Sequence, residues 1–205
     1  LIELCAKIIF NSQWSKDRFL SNLDKIYIKS TKLIVIRQSS DSQKINISKK
    51  EKIITFVGKL NRAKGYDIFG STIIKILNKY KDWKAIVIGD EEREKLIFNH
   101  TRLDTKGFKK HNEVIKILKK TNIAVVCSRW EEPFGRTSLE ASSCGCAVII
   151  TNRGGLPETI TNGIILESLS KENLFNSIKN LIEKKNFRKE LQALSLKNFN
   201  LTHDN

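Results

Sequence analysis

"NIAVVCSRWEEPFGRTSLEASSCGCAVIIT" occupies residues 122–151 and alternates two kinds of chain. It opens on an apolar run of strand length, 122–127, and breaks at Pro133 and Gly135. A helical pattern comes next over Thr137–Ser143, starting near Gly135 or Arg136, and the stretch closes on a second apolar run, 147–151. Apolar runs without polar alternation belong to strands buried on both faces, and a helix between two of them points to a parallel pair.

The same alternation extends outward. Further apolar runs lie at 6–10, 32–36, 53–58 and 84–89, with a shorter one at 163–166. Helical patterns lie at Trp14–Leu23, Tyr66–Lys79, Glu91–Phe98, Asn112–Lys119 and Lys171–Lys184. With right-handed crossovers this predicts an α/β fold, a doubly wound, Rossmann-like parallel sheet that takes ligands beyond the C-terminal ends of its strands. The polar stretch "IRQSSDSQKINISKKEK" (36–52) reads as a linker or long loop, so the chain before it belongs to a different unit from the chain after it.

Composition narrows the classes. The 205 residues are ample for a buried core, and no apolar run approaches the length of a membrane-spanning helix. The N-terminal apolar stretch carries Glu3 and Lys7 and lacks a signal-peptide pattern. There is no Met, so the chain is expected to be a fragment of something longer. The four Cys lack a disulfide or zinc spacing and read as small buried thiols, which favours a reducing, cytoplasmic setting. The net charge of +15 admits nucleic acid, anionic lipid or acidic substrates. Its Lys residues are scattered along polar helix faces rather than massed, which argues against nucleic acid.

Three constellations carry chemistry. "FVGKLNRAKGYDIF" (56–69) is a strand end, a turn at Gly58 and a basic loop that projects Lys59 and Lys64 over the end of the sheet. Those lysines suit a diphosphate or are simply a solvated basic turn. In "EEPFGRTSLE" (131–140) the helix start at Gly135 offers free N–H groups and a positive dipole end to an anion. Glu140 lies about 7 Å further along the axis, the span from a nucleotide's phosphates to its ribose hydroxyls. Glu132 precedes the helix, so the two carboxylates bracket a ligand rather than form an acid/base pair. "NRGGLPETI" (152–160) comes after the next strand, with Pro157 near the first turn of a short helix.

Taken together, in this order and spacing, these segments resemble the C-terminal domain of GT-B glycosyltransferases of family GT4. Their E-x7-E signature is matched by Glu132 and Glu140. The resemblance covers roughly residues 53–166. It also makes residues 1–47 the end of an N-terminal domain plus interdomain linker, and 48–205 a nucleotide-sugar-binding domain with C-terminal helices.

The resemblance implies a role for each matching residue. Lys59 and Lys64 contact the donor diphosphate and, with Glu132, form the catalytic set. Glu140 holds the ribose. Glu132, Arg136 and the backbone at Pro133, Phe134 and Gly135 lie by the donor sugar and phosphates. Gly58, Gly89, Asp90 and Phe108 line the base pocket. The implied reaction is retaining transfer of a sugar from a nucleotide diphosphate sugar to a glycan or lipid-linked acceptor, in cell-envelope polysaccharide synthesis. It needs neither cofactor nor metal, and the chain alone is expected to bind donor without transferring sugar. The expected place is the cytoplasm, at the inner face of an anionic membrane. Three departures stand out: Lys59 where Arg is usual, Cys127 where Pro commonly precedes Ser128, and "RQSSD" in place of an Asn-Gly linker turn. A non-catalytic nucleotide-binding module and a basic nucleic-acid-binding domain remain the competing readings.

Overall fold

The computed structural model describes residue 2, residues 4–21, residue 23 and residues 29–41 and 44–202. Leu1 and Glu3, Asn22 of the first expected helix, and Ser42 and Gln43 of the expected linker lie outside the described residues.

Strand β1 (Ile8–Phe10), helix α1 (Gln13–Leu20) and strand β2 (Leu33–Val35) come first, and β1 pairs with β2 in parallel. A single 3-10 turn, Ile47–Lys49, then leads into β3 (Glu51–Val57), so the strand begins two residues before the apolar run does. The remaining elements are α2 (Tyr66–Lys79), β4 (Lys84–Ile88), β5 (Leu103–Thr105), α3 (His111–Lys120) and β6 (Thr121–Val126). They continue with α4 (Arg136–Ser143), β7 (Ala147–Thr151), β8 (Ile164–Leu166), α5 (Lys171–Glu183) and α6 (Lys185–Lys197).

Six parallel strands form one sheet in the order β5-β4-β3-β6-β7-β8. Counted from β3 this is the doubly wound order 3-2-1-4-5-6, and the strand order reverses between β3 and β6. Side chains split the core by period two. Ile54 and Phe56 of β3, Ile123 and Val125 of β6, and Ile149 of β7 pack with α2 and α5 on one face. Ala124, Val148 and Ile150 pack with α3 and α4 on the other. Both faces are covered, as the unbroken apolar runs require.

Glu91–Phe98, expected to be a helix, contains none. The segment instead runs irregularly along α2. Phe98 lies over Gly70, where a Cβ would come within 2.1 Å of its ring, and meets Tyr66 edge-on at 5.5 Å. One aromatic anchor and the Glu91 hydrogen bonds to Asn61 and Arg93 displace the turn-by-turn pattern. Helix α6 is one of the expected C-terminal helices, but no apolar pattern bounds it in the sequence because its buried stripe is polar. Arg188 donates to the carbonyl of Ile182 and stacks 5.2 Å from Trp83, Gln192 donates to the carbonyl of Asn122, and Ser195 is fully buried.

Candidate functional site

The crevice at the β3/β6 switch point holds two adjoining cavities that share Val57 and Gly58. The first, about 210 Å³, is lined by Lys64, Glu132, Gly135, Arg136 and Thr137 among others. The second, about 320 Å³, is lined by Lys59, Ile88, Gly89, Asp90, Phe108 and Val114 among others. A larger cavity of about 760 Å³ flanks the N-terminal ends of β3 and β4. Its size does not make it the site, because doubly wound sheets take ligands at the opposite, C-terminal ends of their strands.

The first cavity is built by loops that pin one another. Arg129 and Trp130 donate their amides to the carbonyl of Ala63, which ties the loop after β6 to the basic loop after β3. The Arg129 guanidinium grips Asp67 of α2 at 2.6 and 2.9 Å. Burial raises the Asp67 pKa, but Arg129 outweighs it and holds the carboxyl below its ordinary range. Gly135 caps α4 without any side-chain hydrogen bond, which leaves first-turn amides facing the cavity as donors.

Lys64 Nζ lies 2.5 Å from Glu132 Oε1, with the two side chains 33% and 12% exposed. Glu140, 6% exposed, is held at Oε1 by Arg136 Nε at 2.9 Å and faces His111 Nδ1 at 3.4 Å. The two carboxylates are therefore each tied to a cation, on opposite sides of the α4 start. Glu140, Pro133 and Phe134 line neither cavity. The Pro133 carbonyl is taken by the hydroxyls of Ser12 and Ser15, and the Phe134 side chain is 2% exposed in the interior.

The second cavity brings together Gly58, Gly89, Asp90 and Phe108, and with them Lys59, which the resemblance assigns to the diphosphate instead. Gly89 donates its amide to the carbonyl of Gly107, and Gly58 donates to that of Ile88, so three strand ends converge on this wall. Lys59 and Asp90 make no side-chain ion pair among the described residues. Cys127 is fully buried beneath the basic loop, and burial pushes its thiol up to about 12, so it is an inert packing group.

Sequence reasoning missed His111, Glu158 and the Ser12–Ser15 pair. A lone His at a helix start carries no spacing signal. Glu158 sits inside "GGLPETI" and reads as a surface acid until the chain folds and brings α1 onto it. Among the described residues no helix is long and apolar enough to cross a membrane, and no three His, Cys, Asp or Glu side chains cluster as a metal-ligating group.

Comparison with known proteins places this architecture. The model of the family "Glycosyl transferases group 1" matches residues 37–195. The putative glycosyltransferase YtcC of Bacillus subtilis (strain 168) is 26% identical over 178 residues, covering 75% of this chain and 43% of that protein. Spore coat protein SA of the same organism is 29% identical over 126 residues, 55% of this chain and 33% of that one. The chain thus spans well under half the length of these relatives. The crystal structure of Anabaena Alr3699/HepE in complex with UDP-glucose superposes with a TM-score of 0.74 at 20% identity, covering 96% of this chain and 60% of that chain, and shares the fold. This doubly wound sheet is that of the C-terminal half of a GT-B glycosyltransferase, and the chain belongs to the glycosyl transferases group 1 family.

Proposed function

We propose that this chain is the donor-binding part of a retaining, GT4-type glycosyltransferase that takes a hexose from a nucleotide diphosphate sugar. The observation that carries the reading is the pair of adjoining cavities at the switch point, one holding the Lys64–Glu132 pair and the α4 start, the other walled chiefly by Val57, Ile88, Phe108 and Val114. That division fits a ligand with a diphosphate at one end and a flat base at the other. Glu132 and Glu140, eight positions apart, lie on either side of the α4 start, as the E-x7-E reading requires.

In this reading Lys64 and the α4 amides hold the diphosphate, and Lys59 reaches it from the base side. When the bond between the anomeric carbon and the β-phosphate oxygen breaks, negative charge grows on that oxygen. Fixed cations and helix amides stabilise this charge most where water is excluded. Glu140 accepts the ribose hydroxyls, and Glu132 accepts a hydroxyl of the donor sugar. The positive potential comes from protein groups, so the reaction needs no metal. The acceptor, a glycan or a lipid-linked glycan, meets the donor sugar at the open side of the crevice. The scattered lysines would favour an anionic membrane surface at its cytoplasmic face. That solved HepE carries UDP-glucose makes UDP the first donor nucleotide to test.

The test is calorimetric titration of the chain with UDP, GDP and ADP, with and without EDTA, and then with the corresponding sugar conjugates. One nucleoside diphosphate should bind, with unchanged affinity in EDTA. Binding of none of them would remove the donor-site reading, and binding that EDTA abolishes would remove its metal-free form.

A further inference from the structure

The N-terminal segment β1–α1–β2 is held against the loop that builds the first cavity, and one carboxylate makes three of the contacts. Glu158 belongs to the 3-10 turn Leu156–Thr159 that comes after β7. Its Oε2 accepts the amide of Gln13 at 2.9 Å and its Oε1 that of Trp14 at 2.8 Å. These are the first two amides of α1, donors that no helical carbonyl can satisfy. Arg37, just beyond β2, closes on the same carboxylate at 3.0 Å. One side chain, 19% exposed, therefore fixes both the start of α1 and the exit from β2.

This docking has a consequence on the far side of α1. Seated this way, Ser12 and Ser15 send their hydroxyls to the Pro133 carbonyl at 2.5 and 3.0 Å. Pro133 stands between Glu132, which pairs with Lys64, and Gly135, which caps α4. From below, Gly155 donates its amide to the Glu132 carbonyl at 2.7 Å. The approach is too close for side chains: a Cβ on Gly154 would lie 2.1 Å from the Glu132 oxygen, and one on Gly155 2.6 Å from the Pro133 oxygen. Residues 132–135 are thus clamped between the two glycines and the two serines, and the serine jaw is set by Glu158.

We propose that Glu158 is a positioning residue for the diphosphate half of the donor site, acting through α1 and the Pro133 carbonyl on Glu132 and the α4 start. The inference rests on the donor-site reading. It makes the first cavity's geometry a joint product of the segment before residue 38 and the sheet after residue 50. Any movement of α1 relative to the sheet is transmitted to the diphosphate-binding loop.

Two variants of the chain test it. Glu158→Gln keeps the size but loses one acceptor and the charge facing Arg37. Ser15→Ala removes one hydroxyl from Pro133 and leaves the Ser12 cap of α1 in place. UDP, GDP, ADP and the matching nucleosides serve as probes, alongside amide hydrogen exchange of the nucleotide-free chain. The diphosphate that the wild type binds should lose about fivefold to tenfold in affinity in Glu158→Gln, and less in Ser15→Ala, while its nucleoside is unaffected. Exchange at Gln13, Trp14 and Gly155 should rise together in Glu158→Gln. A rise at Gln13 and Trp14 alone, with diphosphate affinity unchanged, would reduce Glu158 to a staple for the N-terminal segment and overturn the proposal. Equal losses for diphosphate and nucleoside would mean general destabilisation and also overturn it. If the wild type binds no nucleoside diphosphate, the donor-site reading fails and takes this role with it. Wild-type binding with unaltered variants overturns this role alone.

Discussion

The two halves of the crevice manage charge in opposite ways. In the first cavity Glu132 is buried to 12% side-chain exposure and already has the Lys64 ammonium within 3 Å. In the second, Phe108 is 73% exposed, and Lys59 and Asp90 stand without ion partners among the described residues. The difference follows from desolvation. A buried carboxylate left alone costs several kcal/mol, so a carboxylate as enclosed as Glu132 is paired by the protein itself. An open site can leave its charges to water. In the proposed reading, a diphosphate entering the first cavity takes Lys64 from Glu132 and frees that carboxylate for the donor sugar. A base entering the second cavity exchanges nothing and gains chiefly by covering Val57, Ile88 and Val114.

The sharpest way to break either half is through its glycine. Gly154 has φ +59°, and its added Cβ would strike the carbonyl of Glu132, which carries the first cavity. Gly89 has φ +133°, and its Cβ would come within 1.9 Å of the Gly58 oxygen in the second. Gly154→Ala and Gly89→Ala should each lower unfolding free energy by about 2–4 kcal/mol, read from urea midpoints. Gly154→Ala should abolish diphosphate binding while sparing the nucleoside, and Gly89→Ala should weaken both. The same loss pattern in both variants would mean that the cavities are not separate halves.

Lys64→Ala comes next. It removes a phosphate partner and leaves Glu132 buried without its cation, so diphosphate affinity should fall by about 2–3 kcal/mol. Nucleoside affinity should hold, and calorimetry on the two ligands decides the matter. Glu140→Ala should cost the nucleotide about 1–3 kcal/mol through lost charge-assisted hydrogen bonds and cost the 2′,3′-dideoxy analogue far less. Equal losses for both ligands would remove Glu140 from the ribose.

The halves also differ in how far the sequence foretold them. Five of the sheet's six strands were legible as continuous apolar runs, whereas the edge strand β5, a three-residue Leu-Asp-Thr with no buried residue, was not. The α4 start was legible because Pro133 and Gly135 punctuate it. Gly58, Gly89, Asp90 and Phe108 were grouped by the family resemblance, and the structure sets them on one cavity wall past the ends of β3, β4 and β5. The rest depended on contacts that leave no period. The Lys64–Glu132 pair joins residues 68 positions apart. Glu158 reaches Gln13 across 145 positions, and no local pattern marks it. The expected helix over Glu91–Phe98 failed because one aromatic ring found Gly70 on α2. The bounds of α6 were not legible because Arg188, Gln192 and Ser195 occupy the stripe where apolar residues are sought.

A smaller effect is loss of stability in acid. Asp67 anchors the first cavity's loop through Arg129, and its pKa is held below the ordinary value. Glu158 is also lowered: burial raises it, and the Trp14 and Gln13 amides with Arg37 overcome that. Carboxyls lowered by folding add stability that is present above their unfolded values, near 4, and is lost as pH falls through the folded ones. Both are partly solvated, so the loss should be modest, roughly 1 kcal/mol in all. Urea midpoints should be flat from pH 7 to 5 and fall below 4, and Glu158→Gln should flatten part of that fall.

The smallest expected change is Lys59→Arg. Lys59 occupies the position where the resemblance favours Arg, at the border of the two cavities, and its ammonium has no ion pair to lose among the described residues. A guanidinium there presents a planar fork to a phosphate in place of a point charge. Its longer reach meets open space, because Phe108 and Asp90 beside it are exposed. Folding stability should therefore stay within about 0.5 kcal/mol of wild type, as for surface substitutions that break nothing. Diphosphate affinity should hold or improve by up to about tenfold, since a bidentate contact adds a second charge-assisted hydrogen bond. The nucleoside, which lacks the anion, should bind as before. A strong loss of diphosphate binding would show that Lys59 serves the base half alone. The charged half would then end at Lys64 and the α4 amides, and the boundary between the two halves would lie on the near side of Gly58.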